Sequence, residues 1–308
     1  MRGTGAGDSD EVASCGVQAT DAVSTPGQRA IFLDFDGTYA DHGVVPQGNV
    51  GAVRAARAAG HLVFLCTGRP RSMVLTSVLA ELDGFVAAAG GYVELGGKVL
   101  SDHRFPADLA ARVVTLLDEH DVAYLLEAPD AVYGPPGVDE RLAALLIGHL
   151  RSSDSPDREG PKDILDALRM SDDLTAASFG KVTCFDSPVP IASIAEQIGP
   201  ELGVLPSSIP DMGDSAGELY LSWIHKALGI QTVIDHLGID RAQVVAVGDG
   251  LNDIEMLEFA GVAVAIEGSD PRVLKVADHL APGPHEDGLV ALFAQLGLVD
   301  LGRPADSS

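Results

Sequence analysis

Cysteine is scarce in this 308-residue chain: Cys15, Cys66 and Cys184 are odd in number and scattered. That excludes a disulfide framework and points to a reducing cytoplasm. Basic residues are also few, 20 Lys and Arg against 45 Asp and Glu, for a formal net charge of −25. Without a Lys/Arg cluster there is no footprint for a phosphate backbone, so nucleic acid is excluded as the expected partner. No apolar run approaches the ~20 residues that cross a bilayer, which removes a membrane partner as well. The first 27 residues are rich in Gly, Ser, Thr, Ala and Asp, with neither a basic start nor an apolar block. They read as a flexible tail.

What the chain does have is 46% apolar residues and enough length for two domains, or one domain with an insertion. Ala30-Ile31-Phe32-Leu33 reads as a buried strand, and it runs directly into Asp34-Phe35-Asp36-Gly37-Thr38. Two carboxylates at i and i+2 of an extended segment share a face. Their repulsion needs relief from a cation or a shared proton. A divalent metal, a carboxylate nucleophile and a carboxylate proton shuttle would all explain the pair. An acidic turn capping a helix is the plainer alternative.

Downstream, the turn Asp41-His42-Gly43 precedes a helix at about 49–59, and His61–Cys66 forms a second buried strand that ends in Thr67-Gly68-Arg69-Pro70. Strand, helix and parallel strand make a βαβ unit. A helix over 71–82, a strand over Phe85–Ala89 and a hairpin at Tyr92–Leu100 around Gly96-Gly97 are expected next. The texture then changes. Between 103 and 218, helices near 107–120 and 138–151 alternate with strands such as Val122–Leu126 and Lys181–Phe185, and 152–173 reads as a long charged surface loop. The α/β pattern resumes with helix Lys226–Leu237, strand Gln243–Val247, the loop Gly248-Asp249-Gly250-Leu251-Asn252-Asp253, helix 254–260 and strand Val262–Ile266. The expected domains are therefore the tail 1–27, a core from 28–102 and 219–308, and an inserted α/β domain over 103–218.

In an open parallel sheet the carboxyl ends of the strands line one crevice. Asp34, Asp36, Thr67, Arg69, Asp249, Asn252 and Asp253 should converge there despite their distance in sequence. Several carboxylates with an amide make a hard oxygen site that suits Mg²⁺. Thr67 offers a hydroxyl and an N–H to phosphate oxygens, although an ordinary strand-to-helix turn accounts for Thr67-Gly68-Arg69 equally well. Lys226 opposes the dipole of its own helix unless an anion faces it. Competing motifs fail on spacing: Ser72 stands where a Cys66-based phosphatase loop needs arginine, and no G-x-x-x-x-G-K-[ST] or H-E-x-x-H is present.

Taken in order, Asp34-x-Asp36-Gly37-Thr38, Thr67-Gly68-Arg69, Lys226 and Gly248-Asp249-Gly250-x-Asn252-Asp253 resemble the four motifs of the haloacid dehalogenase (HAD) superfamily. The long insertion between the second and third motifs resembles the type IIB, or Cof-like, subfamily. The resemblance spans roughly 29–297, including Glu286-Asp287-Gly288. It departs at Gly90-Gly91, where an Asn-Gly pair is usual. It implies a doubly wound, mostly parallel Rossmann-like α/β core with an inserted α/β cap of type C2B.

The implied activity is a Mg²⁺-dependent phosphatase acting on a small phosphorylated metabolite, a sugar or cofactor phosphate, through an aspartyl-phosphate. By this resemblance Asp34 is the nucleophile, Asp36 the acid and base, and Thr67 and Lys226 hold the phosphoryl oxygens. Gly37, Gly68, Arg69, Gly91 and Asn252 would contact substrate. Asp34, Asp36 (through its backbone carbonyl), Asp249 and Asp253 would form or orient the metal shell. The expected assembly is a monomer or homodimer in the cytoplasm. A phosphomutase with the same nucleophile and a non-catalytic binding protein on this fold are the alternatives.

Overall fold

The structure is a computed structural model and describes residues 27–41, 43–152, 160–207 and 212–299. Residues 1–26 of the expected tail, with Cys15, and His42 of the expected turn lie outside these, as does 153–159 of the expected loop.

Among the described residues, fourteen strands form two sheets. In chain order they are β1 (Ala30–Leu33), β2 (Leu62–Cys66), β3 (Gly84–Ala87), β4 (Tyr92–Leu95), β5 (Lys98–Asp102), β6 (Ala123–Glu127), β7 (Val132–Gly134), β8 (Leu168–Met170), β9 (Lys181–Phe185), β10 (Leu202–Pro206), β11 (Gly217–Leu221), β12 (Val244–Gly248), β13 (Val262–Ile266) and β14 (His279–Ala281). The larger sheet has the order β14-β13-β12-β1-β2-β3-β4-β5. It is parallel from β14 to β3, and the β3–β4 and β4–β5 pairings are antiparallel.

Its central strands are near-continuous apolar runs because helices cover both faces. On β1, Ile31 and Leu33 join one core cluster with Val53 and Ala56 of helix Gln47–Ala58 and Leu289, Leu292 and Phe293 of helix Gly288–Gln295. Ala30 and Phe32 face the opposite cluster, with Ile230, Val233 and Ile234 of helix Lys226–Leu237. The chain leaves β1 toward β2 on one side and returns as β12 on the other. This reversal of strand order opens a crevice at the carboxyl ends of β1, β2 and β12.

The second sheet, β10-β11-β9-β6-β7-β8, is antiparallel except where β7 pairs with β8. One face packs Tyr124, Leu126, Val182, Cys184 and Leu219 against helices Ala107–Glu119 and Ile191–Ile198. β11 continues to Leu221, past residue 218 where the sequence reading ended the insert.

Two local expectations are corrected. The helix expected over 71–82 is a 3₁₀ turn at Arg71–Met73 and a single helical turn at Thr76–Leu79, separated by extended Val74 and Leu75. Met73 packs into an apolar cluster of the second sheet, and the Ser72 hydroxyl donates to the Ala128 carbonyl at 2.9 Å. These long-range contacts override a helical propensity already lowered by Ser72, Val74, Thr76, Ser77 and Val78. Within the span read as a loop over 152–173, Gly160–Ala167 is helical and Leu168–Met170 is the edge strand β8. Its charged composition suits an exposed edge as well as a loop.

The described cysteines, Cys66 and Cys184, are free and buried. Burial pushes both thiols above their ordinary range. No helix among the described residues is long and apolar enough to cross a membrane.

Candidate active site

The crevice collects the expected residues. Asp34 directly follows β1, and its N–H donates to the Val247 carbonyl of β12 at 2.9 Å. Thr67 follows β2 with its N–H on the Val86 carbonyl of β3 at 2.8 Å. Asp249 follows β12. Strand pairing thus sets the backbone positions of these side chains before any ligand arrives.

Lys226 opens its helix fully buried, at 0% exposure, beside equally buried Asp253. Its Nζ donates to Asp34 Oδ1 and to Asp253 Oδ1. Asp253 Oδ2 accepts the N–H groups of Asp249 at 3.0 Å and Gly250 at 2.8 Å. Both oxygens of Asp253 are therefore engaged, which suits it to orienting Lys226 and the 248–253 loop. Two features seat the Lys226 helix. The His225 ring accepts the Leu228 N–H as an N-cap, so His225 is structural. Gly90, at φ +108°, passes so close that a Cβ there would lie 2.1 Å from the His225 carbonyl oxygen. The Gly90 departure from the usual Asn-Gly pair thus coincides with a close backbone crossing.

One oxygen from each of Asp34, Asp249 and Asp253 lies within 4.8 Å of the others. Asp249 is held by Thr38, whose hydroxyl donates to Oδ1 at 2.7 Å. Gly37, at φ +86°, makes room for it: a Cβ there would stand 2.4 Å from Asp249 Oδ2. Three carboxylates face one ammonium. Burial, and the neighbouring carboxylates, push Asp34 well above the ordinary carboxylate range, with Lys226 pulling the other way. Burial likewise raises Asp249 to about 6; the Thr38 hydrogen bond opposes this and Asp253 adds to it. Burial disfavours the Lys226 ammonium, but Asp253 and Asp34 outweigh it and hold its pKa above the ordinary value. Excess negative charge on hard oxygen donors fits a divalent cation such as Mg²⁺.

The Asp36 carboxylate is not part of this acidic cluster. Arg69 holds it in a bidentate pair, Nε to Oδ2 and Nη2 to Oδ1, both at 2.7 Å. Thr67 is buried, and its hydroxyl oxygen accepts the Arg69 N–H at 3.1 Å. Asn252 reaches toward Gly68: a Cβ on Gly68 would lie 3.3 Å from Asn252 Nδ2. Gly91 is tied into the local backbone. Its N–H donates to Ala88 at 3.0 Å and its carbonyl accepts from His103 at 2.8 Å, so both backbone groups are spent on the fold.

Sequence reasoning missed the second sheet's contribution. Lys181 of β9 donates to the Gly68 carbonyl at 2.9 Å, with Glu127 and Glu218 around it. A lysine and a glutamate in otherwise apolar strands were the available signals.

The family description of haloacid dehalogenase-like hydrolases matches residues 31–293, and the chain belongs to that family. Among relatives, YkrA of Bacillus subtilis (strain 168), itself only provisionally assigned as a phosphatase, is 28% identical over 278 residues, covering 88% of this chain and 98% of YkrA. The 5-amino-6-(5-phospho-D-ribitylamino)uracil phosphatase YitU of the same organism is 26% identical over 278 residues, covering 86% and 96%. Among solved structures, the HAD subclass IIB sugar phosphatase BT4131 superposes with a TM-score of 0.70 at 20% identity, over 88% of this chain and all of that one. A haloacid dehalogenase-like hydrolase from B. subtilis gives 0.72 at 21% identity, over 87% and 100%. These two likenesses establish the fold, a Rossmann-like parallel core with an α/β cap.

Proposed function

We propose that the protein is a Mg²⁺-dependent phosphatase that hydrolyses a small phosphorylated metabolite through an aspartyl-phosphate on Asp34. The observation that carries this reading is the placement of Asp34. It stands at the carboxyl end of the central strand, bonded through Oδ1 to a buried lysine and grouped with two more carboxylates. A buried carboxylate tethered this way has little rotational freedom, which favours a fixed line of attack.

In the proposed sequence, Asp34 attacks phosphorus while the ester P–O bond breaks. Asp36 gives a proton to the departing alkoxide. It then takes one from the water that attacks the phosphoryl group, releasing phosphate and regenerating Asp34. Arg69 aims Asp36 through its two-point grip. The Thr67 hydroxyl, already accepting from Arg69, keeps its proton for a phosphoryl oxygen, and Lys226 has a third ammonium proton for another. Asp34, Asp249 and the Asp36 carbonyl would hold Mg²⁺, with Asp253 orienting them. When bound, the cation offsets the charge of phosphate and carboxylates.

The substrate proposed is a sugar phosphate or a cofactor phosphate. YitU acts on a phosphorylated ribitylamino compound by its name, a precedent within the family rather than an assignment. The cap, proposed to span about 103 to 221, would cover the organic part and exclude water. The test is release of inorganic phosphate from a panel of phosphorylated metabolites, with Mg²⁺ and with EDTA. Turnover of one or more esters only with Mg²⁺ is expected. Equal turnover in EDTA, or none on any ester including p-nitrophenyl phosphate, contradicts the proposal.

A further inference from the structure

A buried ionic cluster outside the four motifs joins the second sheet to the catalytic crevice. Glu127 on β6 lies directly across from Lys181 on β9, and Thr183 on β9 lies across from Glu218 on β11. Residues opposed in this way share a face of the sheet. Lys181 is 4% exposed and Glu127 6%. Lys181 Nζ lies 3.2 Å from Glu127 Oε2 and 3.1 Å from Glu218 Oε1, and it donates to the Gly68 carbonyl at 2.9 Å. The Thr183 hydroxyl donates to Glu127 Oε1 at 2.6 Å and steadies that carboxylate. Lys181 thus pairs with two carboxylates through charge and donates a hydrogen bond to the Gly68 carbonyl.

Burying such a cluster is unfavourable compared with apolar residues of the same volume, because the desolvation of three charges opposes folding. Packing of the sheet alone does not call for it. The contact that apolar residues could not supply is the one to Gly68.

That contact falls on a sensitive bond. The Gly68 carbonyl and the Arg69 N–H belong to one planar peptide group. The N–H donates to Thr67 Oγ1 at 3.1 Å, while the carbonyl at the other end accepts from Lys181. The peptide is pinned from both sides, once by the core and once by the cap. Glycine has no Cβ to resist a rotation of this plane. Turned over, the carbonyl would face the Thr67 hydroxyl, accept its hydrogen bond and present a partial negative charge to an incoming phosphate.

We propose that Lys181 is a positioning residue: from the cap, it holds the Gly68–Arg69 peptide in the one orientation that leaves the Thr67 hydroxyl proton free for a phosphoryl oxygen. Lys181 touches no reacting atom and acts through Thr67. Seating of the cap and readiness of the phosphate-binding loop are thereby linked by a single hydrogen bond. This role rests on the phosphatase reading above.

The test is a double-mutant cycle on hydrolysis of p-nitrophenyl phosphate with Mg²⁺. K181M/E218Q removes the donor while preserving the net charge of the cluster, and E127Q/K181M/E218Q removes all its charge. The second variant is carried through the same cycle, so that misfolding of the first leaves the measurement intact. Either variant should lower kcat by roughly 10- to 100-fold with a smaller change in KM, the scale of a misplaced catalytic contact. Combined with Thr67→Ala, either should lose no more than T67A alone, because both remove the same interaction. A kcat within about twofold of the unaltered protein, or losses that multiply with that of T67A, would overturn the role of Lys181. Failure of the unaltered protein to hydrolyse the ester would instead overturn the phosphatase reading, and this role with it.

Discussion

Arg69 grips Asp36 with both arms of its guanidinium, and the same guanidinium stacks over the Phe35 ring, its Cζ 4.9 Å from the centroid. The pair is part-exposed, 17% for the arginine side chain and 47% for the aspartate. It therefore adds little to stability. Its value lies in aim, because a fork of two parallel bonds fixes the plane of the carboxylate. Arg69→Met should lower kcat on p-nitrophenyl phosphate by about 10-fold or more, within the range that general acid–base catalysis supplies. Arg69→Lys should fall between, since a point charge cannot make the fork. An unchanged kcat in R69M would dissociate Arg69 from the proton-transfer step.

Lys226 separates two buried carboxylates, Asp34 and Asp253, and removing it leaves them facing each other. Lys226→Met should destabilise the metal-free protein by about 3–5 kcal/mol, the usual penalty for stripping one partner from a buried ion cluster. Urea unfolding followed by circular dichroism would measure it. A midpoint equal to that of the unaltered protein would mean that the cluster is not formed in solution.

Much of this core is legible in the sequence because its strands are short, fully buried and end in polar residues. Strands 181–185 and 262–266 and helix 226–237 coincide with the expected spans, since caps and apolar runs mark them locally: His225 and Gly238 bracket the helix. The convergence of Asp34, Thr67, Asp249 and Asp253 follows from parallel-strand topology alone. The cap was less legible. β7, β8, β10 and β11 are short or lie at and near edges, and no periodicity of their own marks them. Arg71–Met73 takes its shape from contacts to the cap that no local pattern encodes. The Glu127–Lys181–Glu218 cluster depends on strand register across more than 90 residues of chain, which composition does not reveal.

Asp249 links metal and pH. Its folded pKa of about 6 lies above the ordinary value of 3.8, so the folded metal-free protein binds this proton more tightly than the unfolded chain does. The contribution is neutral below the ordinary value and turns destabilising as pH rises between the two, remaining so above 6. Asp249→Asn, which keeps the acceptor for Thr38, should therefore stabilise the metal-free protein near neutrality by about 1–3 kcal/mol. The gain should shrink as pH falls from about 6 to about 4. Mg²⁺ should raise the Tm of the unaltered protein but not that of D249N. A Tm increment on adding Mg²⁺ that is equal in both proteins would remove Asp249 from the metal shell.

The central claim is that Asp34 attacks phosphorus, and the most direct measurement is phosphate release by Asp34→Asn in the presence of Mg²⁺. The substitution keeps size and hydrogen-bonding reach beside Lys226 while removing the nucleophilic carboxylate. Turnover should fall by at least ~10³-fold, the scale seen when covalent nucleophiles are removed, with the circular dichroism spectrum unchanged. Near-normal phosphate release by the folded D34N protein would contradict the aspartyl-phosphate route.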